Sequence, residues 1–366
     1  MRNKFDLKNM RTRMRINPTW QWILLGLLWA APAPAQTNVN RPDIGRQWFA
    51  RPLAESASRG IVTRDPSDIV KCADDYWVFY TGRGIPSYHS KDLVHWKAGP
   101  SVFEKAPEWI ASTVPENRHM SYWAPDIMKV GDRYLLYYAV STMGKITSAI
   151  GLATTPTLDP KSPAYHWTDH GVVVRTQEGD NYNALDPTVF RDTDGSLWLS
   201  FGSYWSGIKL IQLDPQTGKR IAPDSKLYSL AYNESIEASY LCKHDGWYYL
   251  FVNWDGCCQG TNSTYNIRMG RSKSITGPYL DQAGVDMLQH GGSVFLPAVN
   301  GPLFGPGHAG MLEAEGKSWF TSDFEGDIRM NGQATLAILP LHWKADGWPE
   351  ATVNDLKPAT KSATGE

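Results

Sequence analysis

The sequence predicts an all-β protein, a five-bladed β-propeller, and three observations carry that expectation. A strand–turn–strand pattern recurs five times along the 366 residues, at intervals of roughly 60. The aromatic residues favour strand formers with a polar handle, 16 Trp and 17 Tyr against 11 Phe. Beyond the N-terminal segment, no stretch sustains the periodicity of an amphipathic helix.

Residues 1–35 read as a secretory signal peptide. Arg2, Lys4, Lys8, Arg11, Arg13 and Arg15 precede the apolar run WQWILLGLLWA at 20–30, which is too short to span a bilayer stably. Ala33-Pro34-Ala35 then supplies a small-x-small cleavage site before Gln36, and Met10 and Met14 are alternative starts within the basic region. No Cys lies near the cleavage site, so no lipid anchor is expected there, and the destination is the periplasm or the exterior. Residues 36–59 form a lead-in, 60–345 the propeller and 346–366 a C-terminal tail. Cleavage takes six basic residues and one acidic residue from totals of 36 and 37, leaving 30 and 36 and a net charge of −6. No basic stripe remains for nucleic acid, so a neutral or weakly charged partner fits, and the chain is expected to be a monomer off the membrane.

The first copy of the repeat is RDPSDIVKCADDYWVFYTG at 64–82. WAPDIMKVGDRYLLYYAVS (123–141) and NALDPTVFRDTDGSLWLSFGSYW (183–205) follow. SIEASYLCKHDGWYYLFVNW (235–254) is the fourth copy and GPGHAGMLEAEGKSWFTSDF (305–324) a looser fifth. Each reads as a short strand, a turn and an aromatic strand, with Asp194-Gly195 and Asp245-Gly246 as hairpin signals. SAIGLATT (148–155) and YNIRMGRSK (265–273) supply further strands, giving about four per unit. A β-sandwich with coincidental similarity is the competing architecture.

Asp65, Asp126, Asp186, Glu237 and His308 anchor the copies, at separations of 61, 60, 51 and 71. In a propeller the first strand of each blade lines the axis, so anchors at matched positions would converge there. Asp65, Asp186 and Glu237 would then share one pocket, where mutual repulsion forces their pKa values apart. Pro66 and Pro187 fix the backbone beyond two of them. A lone Asp-Pro is more often a turn cap; the matched positions favour a site. Glu234 competes with Glu237, but only Glu237 sits at the anchor position.

RDPS, WAPDI, NALDPTVF, SIEASYL and GPGHAG together resemble glycoside hydrolase family 43. FGSYWSGIKL and WDGCCQGTNSTYNIRMGRSKSITGPY are similar to its endo-α-1,5-L-arabinanase group, and the likeness runs from about residue 60 to 340. The resemblance implies an inverting glycosidase cleaving internal α-1,5 bonds of arabinan. Asp65 would be the general base, Glu237 the general acid, and Asp186 would hold the acid and raise its pKa. Their carboxyl groups would stand about 6.5–9.5 Å apart, against about 5 Å in a retaining pair. Many members carry His where this chain has Arg64 and read EAP where it has Glu237-Ala238-Ser239. Arg64 pointing inward would lower the pKa of the base.

The resemblance also makes Trp123 a sugar-stacking residue, with Asn183, Ser203, Tyr204 and Trp205 lining the groove. Asp126 is expected to be structural or to bond substrate. It implies an axial ion near His308, Ca2+ or another ion, held mostly by water because calcium prefers oxygen ligands. Cys257 and Cys258 are expected to form a vicinal disulfide presenting a flat apolar surface to the sugar, while Cys72 and Cys242 stay unpaired. Two alternatives remain. One is an exo-acting α-L-arabinofuranosidase or β-xylosidase on the same scaffold; the other is a sugar-binding propeller without catalysis.

Overall fold

A computed structural model describes residues 61–351 and 353. The signal peptide and lead-in lie outside the described residues, as does most of the C-terminal tail.

The first copy folds into β1 (Val70–Cys72), β2 (Asp75–Phe79), the two-residue β3 (Gly82–Arg83), β4 (Ser87–Ser90) and β5 (Trp96–Gly99). β3 leaves this sheet, whose order is β1-β2-β4-β5, and edges the next one. A short helix, α1 (Glu108–Thr113), precedes β6 (Ser121–Val130), β7 (Arg133–Val140), β8 (Ser148–Thr155) and β9 (Thr168–Thr176). The third sheet is β10 (Thr188–Arg191), β11 (Leu197–Phe201), β12 (Ile208–Leu213) and β13 (Tyr228–Ala231). The fourth is β14 (Ile236–His244), β15 (Trp247–Trp254), β16 (Asn266–Ser272) and β17 (Ser293–Leu296). The fifth runs β18 (Val299–Asn300), β19 (Leu303–Ala314), β20 (Lys317–Asp327), β21 (Gln333–Trp343) and β22 (Pro349–Ala351). β22 carries this sheet past residue 345, because Pro349–Ala351 pairs with Leu341–Trp343. The five sheets are the blades of a propeller, each an antiparallel meander.

Packing explains why strands such as RYLLYYAV lack polar alternation. In β7, Tyr134, Leu136 and Tyr138 point into a core shared with Trp77 and Phe79 of the first blade. Leu135 and Tyr137 point the other way, into a core with Val189, Leu199 and Phe201 of the third. Both faces of a blade are therefore buried, as in a sheet covered on both sides. Phe190, Leu210, Leu241 and Leu250 join blades three and four, and Tyr249, Phe251, Phe320 and Leu339 join four and five. A fifth core, with Tyr76 and Val78 against Leu312, Leu336 and Ile338, joins the last blade to the first. The Leu336 N–H also donates to the Ile61 carbonyl, at 3.4 Å. The ring is closed by these contacts between the first and last copies.

One residue near each inner strand takes a left-handed backbone: Asp65 (φ 48°), Ala124 (φ 40°), Asp186 (φ 54°), Ala238 (φ 50°) and His308 (φ 50°). Pairing registers slip beside three of them, between Trp123 and Asp126, Glu237 and Tyr240, and Gly307 and Gly310. The repeat is thus real, but two anchors are displaced from this geometric position. Glu237 lies one residue before it, and Asp126 two residues after it.

Candidate active site

The kinks turn the chain ends of the inner strands toward one cleft of about 830 Å3. Eleven of the residues singled out from the sequence line it: Asp65, Trp123, Asn183, Asp186, Ser203, Tyr204, Trp205, Glu237, Cys257, Cys258 and His308. Asp126 does not. It lies deeper on the axis, accepting from the Asp68 N–H (3.1 Å) and the Val189 N–H (2.8 Å), and so ties three blades together. Glu234 sits at the cleft wall with an exposed side chain, 3.7 Å from His290.

The acidic residues differ sharply in environment. Asp65 accepts from the Thr81 hydroxyl at 2.6 Å and faces His308 Nε2 at 3.2 Å. Burial raises its pKa, but the His308 imidazolium, Arg64 and Thr81 outweigh burial and hold it at about 2. His308 answers in kind: burial disfavours its charge, but Asp65 and then Asp186 push its pKa up to about 10. Asp186 accepts from the Ala238 N–H at 3.2 Å, and burial with the nearby Glu237 raises it to about 7. Glu237 is also raised, first by burial, against the opposing hydroxyls of Ser203 and Tyr265. Ser203 donates to Glu237 Oε2 at 2.8 Å. The pKa of one carboxylate is thus held down while those of its neighbours are pushed up, the kind of division that acid–base chemistry uses.

Thr81, Tyr265, Asp323 and Glu325 escaped sequence reasoning. Thr81 Oγ1 both serves Asp65 and accepts from the Ala124 N–H (2.8 Å), so it locks two blades' kinks together. Glu325 bonds Arg64 Nη2 at 3.0 Å and accepts the Cys258 N–H on both oxygens, at 2.8 and 2.7 Å. Arg64 therefore points into the cleft wall, not away from it. Asp323, buried, has no hydrogen-bond partner on either oxygen among the described residues. Only the acidic run in TSDFEGD, at 321–327, hinted at the last two.

The expected disulfide is absent. Cys257 and Cys258 are free thiols, and no disulfide occurs among the described residues. The loop that carries them is fixed through the Cys258 backbone N–H, which donates to Glu325. Cys72 and Cys242 are free as well.

This arrangement has known counterparts. Residues 61–349 match the sequence profile of glycosyl hydrolases family 43. The chain belongs to that family. This family 43 glycosidase is 41% identical to extracellular endo-α-(1→5)-L-arabinanase 1 of Bacillus subtilis, over 78% of this chain and 86% of that one. It is 38% identical to the extracellular exo-α-(1→5)-L-arabinofuranosidase ArbA of Cellvibrio japonicus, over 77% and 84%. Among solved structures, the Cellvibrio cellulosa α-L-arabinanase complexed with arabinohexaose superposes with a TM-score of 0.76 at 35% identity, covering 82% of this chain and 98% of that one. The family 43 endo-arabinanase of Bacillus licheniformis gives 0.72 at 42%, covering 79% and 97%.

Proposed function

We propose that this glycosidase cleaves internal α-1,5-L-arabinofuranosidic bonds of arabinan with inversion. The observation that carries the reading is that Asp65 and Glu237 line one cleft in environments that shift their pKa values in opposite directions, Asp65 down and Glu237 up. Asp65, ionised at any working pH, takes the proton of a water that attacks the anomeric carbon. Glu237 gives its proton to the departing glycosidic oxygen; with Oε2 engaged by Ser203, that proton resides on Oε1. Asp186 accepts the Ala238 N–H next to the acid, and its own pKa is raised by burial and by Glu237. Trp123, Tyr204 and Trp205 offer faces for sugar rings. Relatives named endo-arabinanase support the substrate, and the arabinohexaose bound to a structural neighbour supports a groove for several sugars.

Digestion of linear arabinan tests this reading. Early release of mixed oligomers is expected; release of one small product from the start would favour the exo-arabinofuranosidase. Proton NMR of the first-formed anomer reads the stereochemistry, and retention would overturn the inverting assignment. Glu237→Ala is expected to abolish hydrolysis and keep arabinohexaose binding; wild-type turnover would remove Glu237 from its role. Export is supported by relatives named extracellular, and N-terminal sequencing of exported protein should begin at Gln36.

An axial ion suits the donors present. Among the described residues, His308 and Arg64 are the cations acting on the carboxylate group of Asp65, Asp68, Asp126, Asp186, Glu237 and Asp323, and the oxygens of Asp323 have no hydrogen-bond partner. Such hard oxygens fit calcium. With Nε2 of His308 engaged by Asp65, the ion would stand beside His308 and be held mostly by water. The ion would supply positive charge to the carboxylate cluster. Chelator treatment followed by calcium add-back should lower and then restore the Tm.

A further inference from the structure

Lys209 is a buried cation that the acid–base chemistry does not use. It is only 4% exposed, and no carboxylate forms an ion pair with it among the described residues. Burying an ammonium without a counter-charge is costly. Desolvation lowers its pKa to about 8. Such a group persists where the surrounding structure gains something specific from it.

Its partners show what is gained. Lys209 lies at the start of β12, opposite Phe201 of β11 and Ser229 of β13. Its Nζ donates to the Ser206 carbonyl at 2.6 Å and to the Ser229 hydroxyl at 3.0 Å. Ser206 belongs to the β11–β12 loop, which carries three cleft residues in succession, Ser203, Tyr204 and Trp205. That loop is strained. Tyr204 and Trp205 both take left-handed φ values, 55° and 43°, which bulky side chains rarely adopt. Gly207 closes it at φ 77°, where a β-carbon would strike the Ala231 carbonyl. Consecutive left-handed residues persist only when neighbouring groups over-determine them. Backbone bonds from Tyr204 N to the Ile236 carbonyl (2.7 Å) and from Ser206 N to the Asn181 carbonyl (3.0 Å) hold the rim side. On the sheet side, Lys209 holds the Ser206 carbonyl.

We propose that Lys209 is a positioning residue: its ammonium clamps the strained loop that presents the Ser203 hydroxyl to Glu237 and the Tyr204 and Trp205 rings to the sugar. Preorganising a catalytic group in this way matters because displacements of about 1 Å can cost about a hundredfold in rate. The inference rests on the glycosidase reading of the cleft. Without the clamp the loop relaxes, the rings drift and Ser203 withdraws from Glu237.

Lys209→Met tests the clamp, since it keeps the aliphatic stem and removes the donor. The expected result is a KM for arabinohexaose raised by about tenfold and a lowered kcat. A second readout separates positioning from simple stabilisation. Ser203 donates to the ionised form of Glu237, so its withdrawal raises the pKa of the acid. The basic limb of kcat/KM should therefore move to higher pH. Asp65, Asp186, His308, Tyr265 and Cys257 also face Glu237 from outside this loop and keep their places on substitution, whereas Tyr204 moves with the loop. A lysine that only supports the fold would lower Tm and leave KM and the limb where they were; that outcome overturns the proposal. Should Lys209→Met fail to fold, Lys209→Gln keeps an N–H donor on a shorter stem. It should give a smaller change of the same sign in both readouts, and wild-type values there overturn the proposal equally. A wild-type enzyme inactive on arabino-oligosaccharides would instead sink the substrate reading and leave the clamp to be read from binding of a hydrolysed glycoside.

Discussion

Arg64 stands next to the base. Its guanidinium is bidentate by nature but spends one arm on Glu325, and it remains 40% exposed. Its field on Asp65 is one of three effects holding that carboxylate down, after the His308 contact. Arg64→Gln should therefore raise the acidic limb of the kcat/KM profile by a fraction of a pH unit; an unmoved limb would show that His308 and Thr81 hold Asp65 without it. His308 carries a larger and opposite linkage. Its folded pKa of about 10 lies above the ordinary value of 6.5, so its stabilisation is complete below pH 6.5 and is lost as pH rises through 10. The Tm difference between wild type and His308→Asn should shrink across that window, as read by calorimetry from pH 6 to 10. At this scale the sequence was informative wherever a residue recurred in register. Asp65 and Asp186 were legible because each precedes proline in matched copies. Thr81, Asp323 and Lys209 were not, because their partners lie in other blades or other strands and no local spacing encodes them.

Each inner strand owes its aim to one left-handed residue. Glycine would accept that backbone freely, yet four of the five copies whose kinks form the site use Asp or Ala, and the fifth uses His. Where the kink residue is Asp65 or Asp186, its side chain is itself delivered into the cleft; where it is Ala124 or Ala238, the preceding Trp123 or Glu237 is delivered instead. Two solutions of one geometry explain why the anchors were legible as a set but misaligned individually. A count of residues between acidic positions cannot see a slipped register. Ala238→Val places a β-branched side chain at φ 50° and should destabilise the protein by about 1–3 kcal/mol. Urea unfolding measures this, and an unchanged midpoint would mean that the strand can re-aim without cost. The thiols of Cys257 and Cys258 failed as a prediction for a related reason: adjacency in sequence said nothing of Glu325, which holds the Cys258 backbone from another blade.

The blades contribute stability in pairs, since each core is built from two of them. The number of blades and their order were legible from the repeat, whereas the partner of the first blade was visible only once the ring was closed. Leu336 packs on Val78 and Tyr76 in the closing core. Leu336→Ala should cost about 2–5 kcal/mol and increase amide exchange in β1, β2 and β21 before other strands. Uniform loss of protection across all blades would instead show that the ring unfolds as one unit. No described helix is long and apolar enough to cross a membrane.

The hydrogen bond from Leu336 to Ile61 brings the beginning and the end of the described chain to the same seam. During synthesis the opening blade must wait, with one flank bare, until the final copy has emerged. A circular permutant that links the old ends and starts in the exposed turn at 282–284 would move that wait to a different interface. It would keep the same groove while changing which flank is left sticky in the nascent polypeptide.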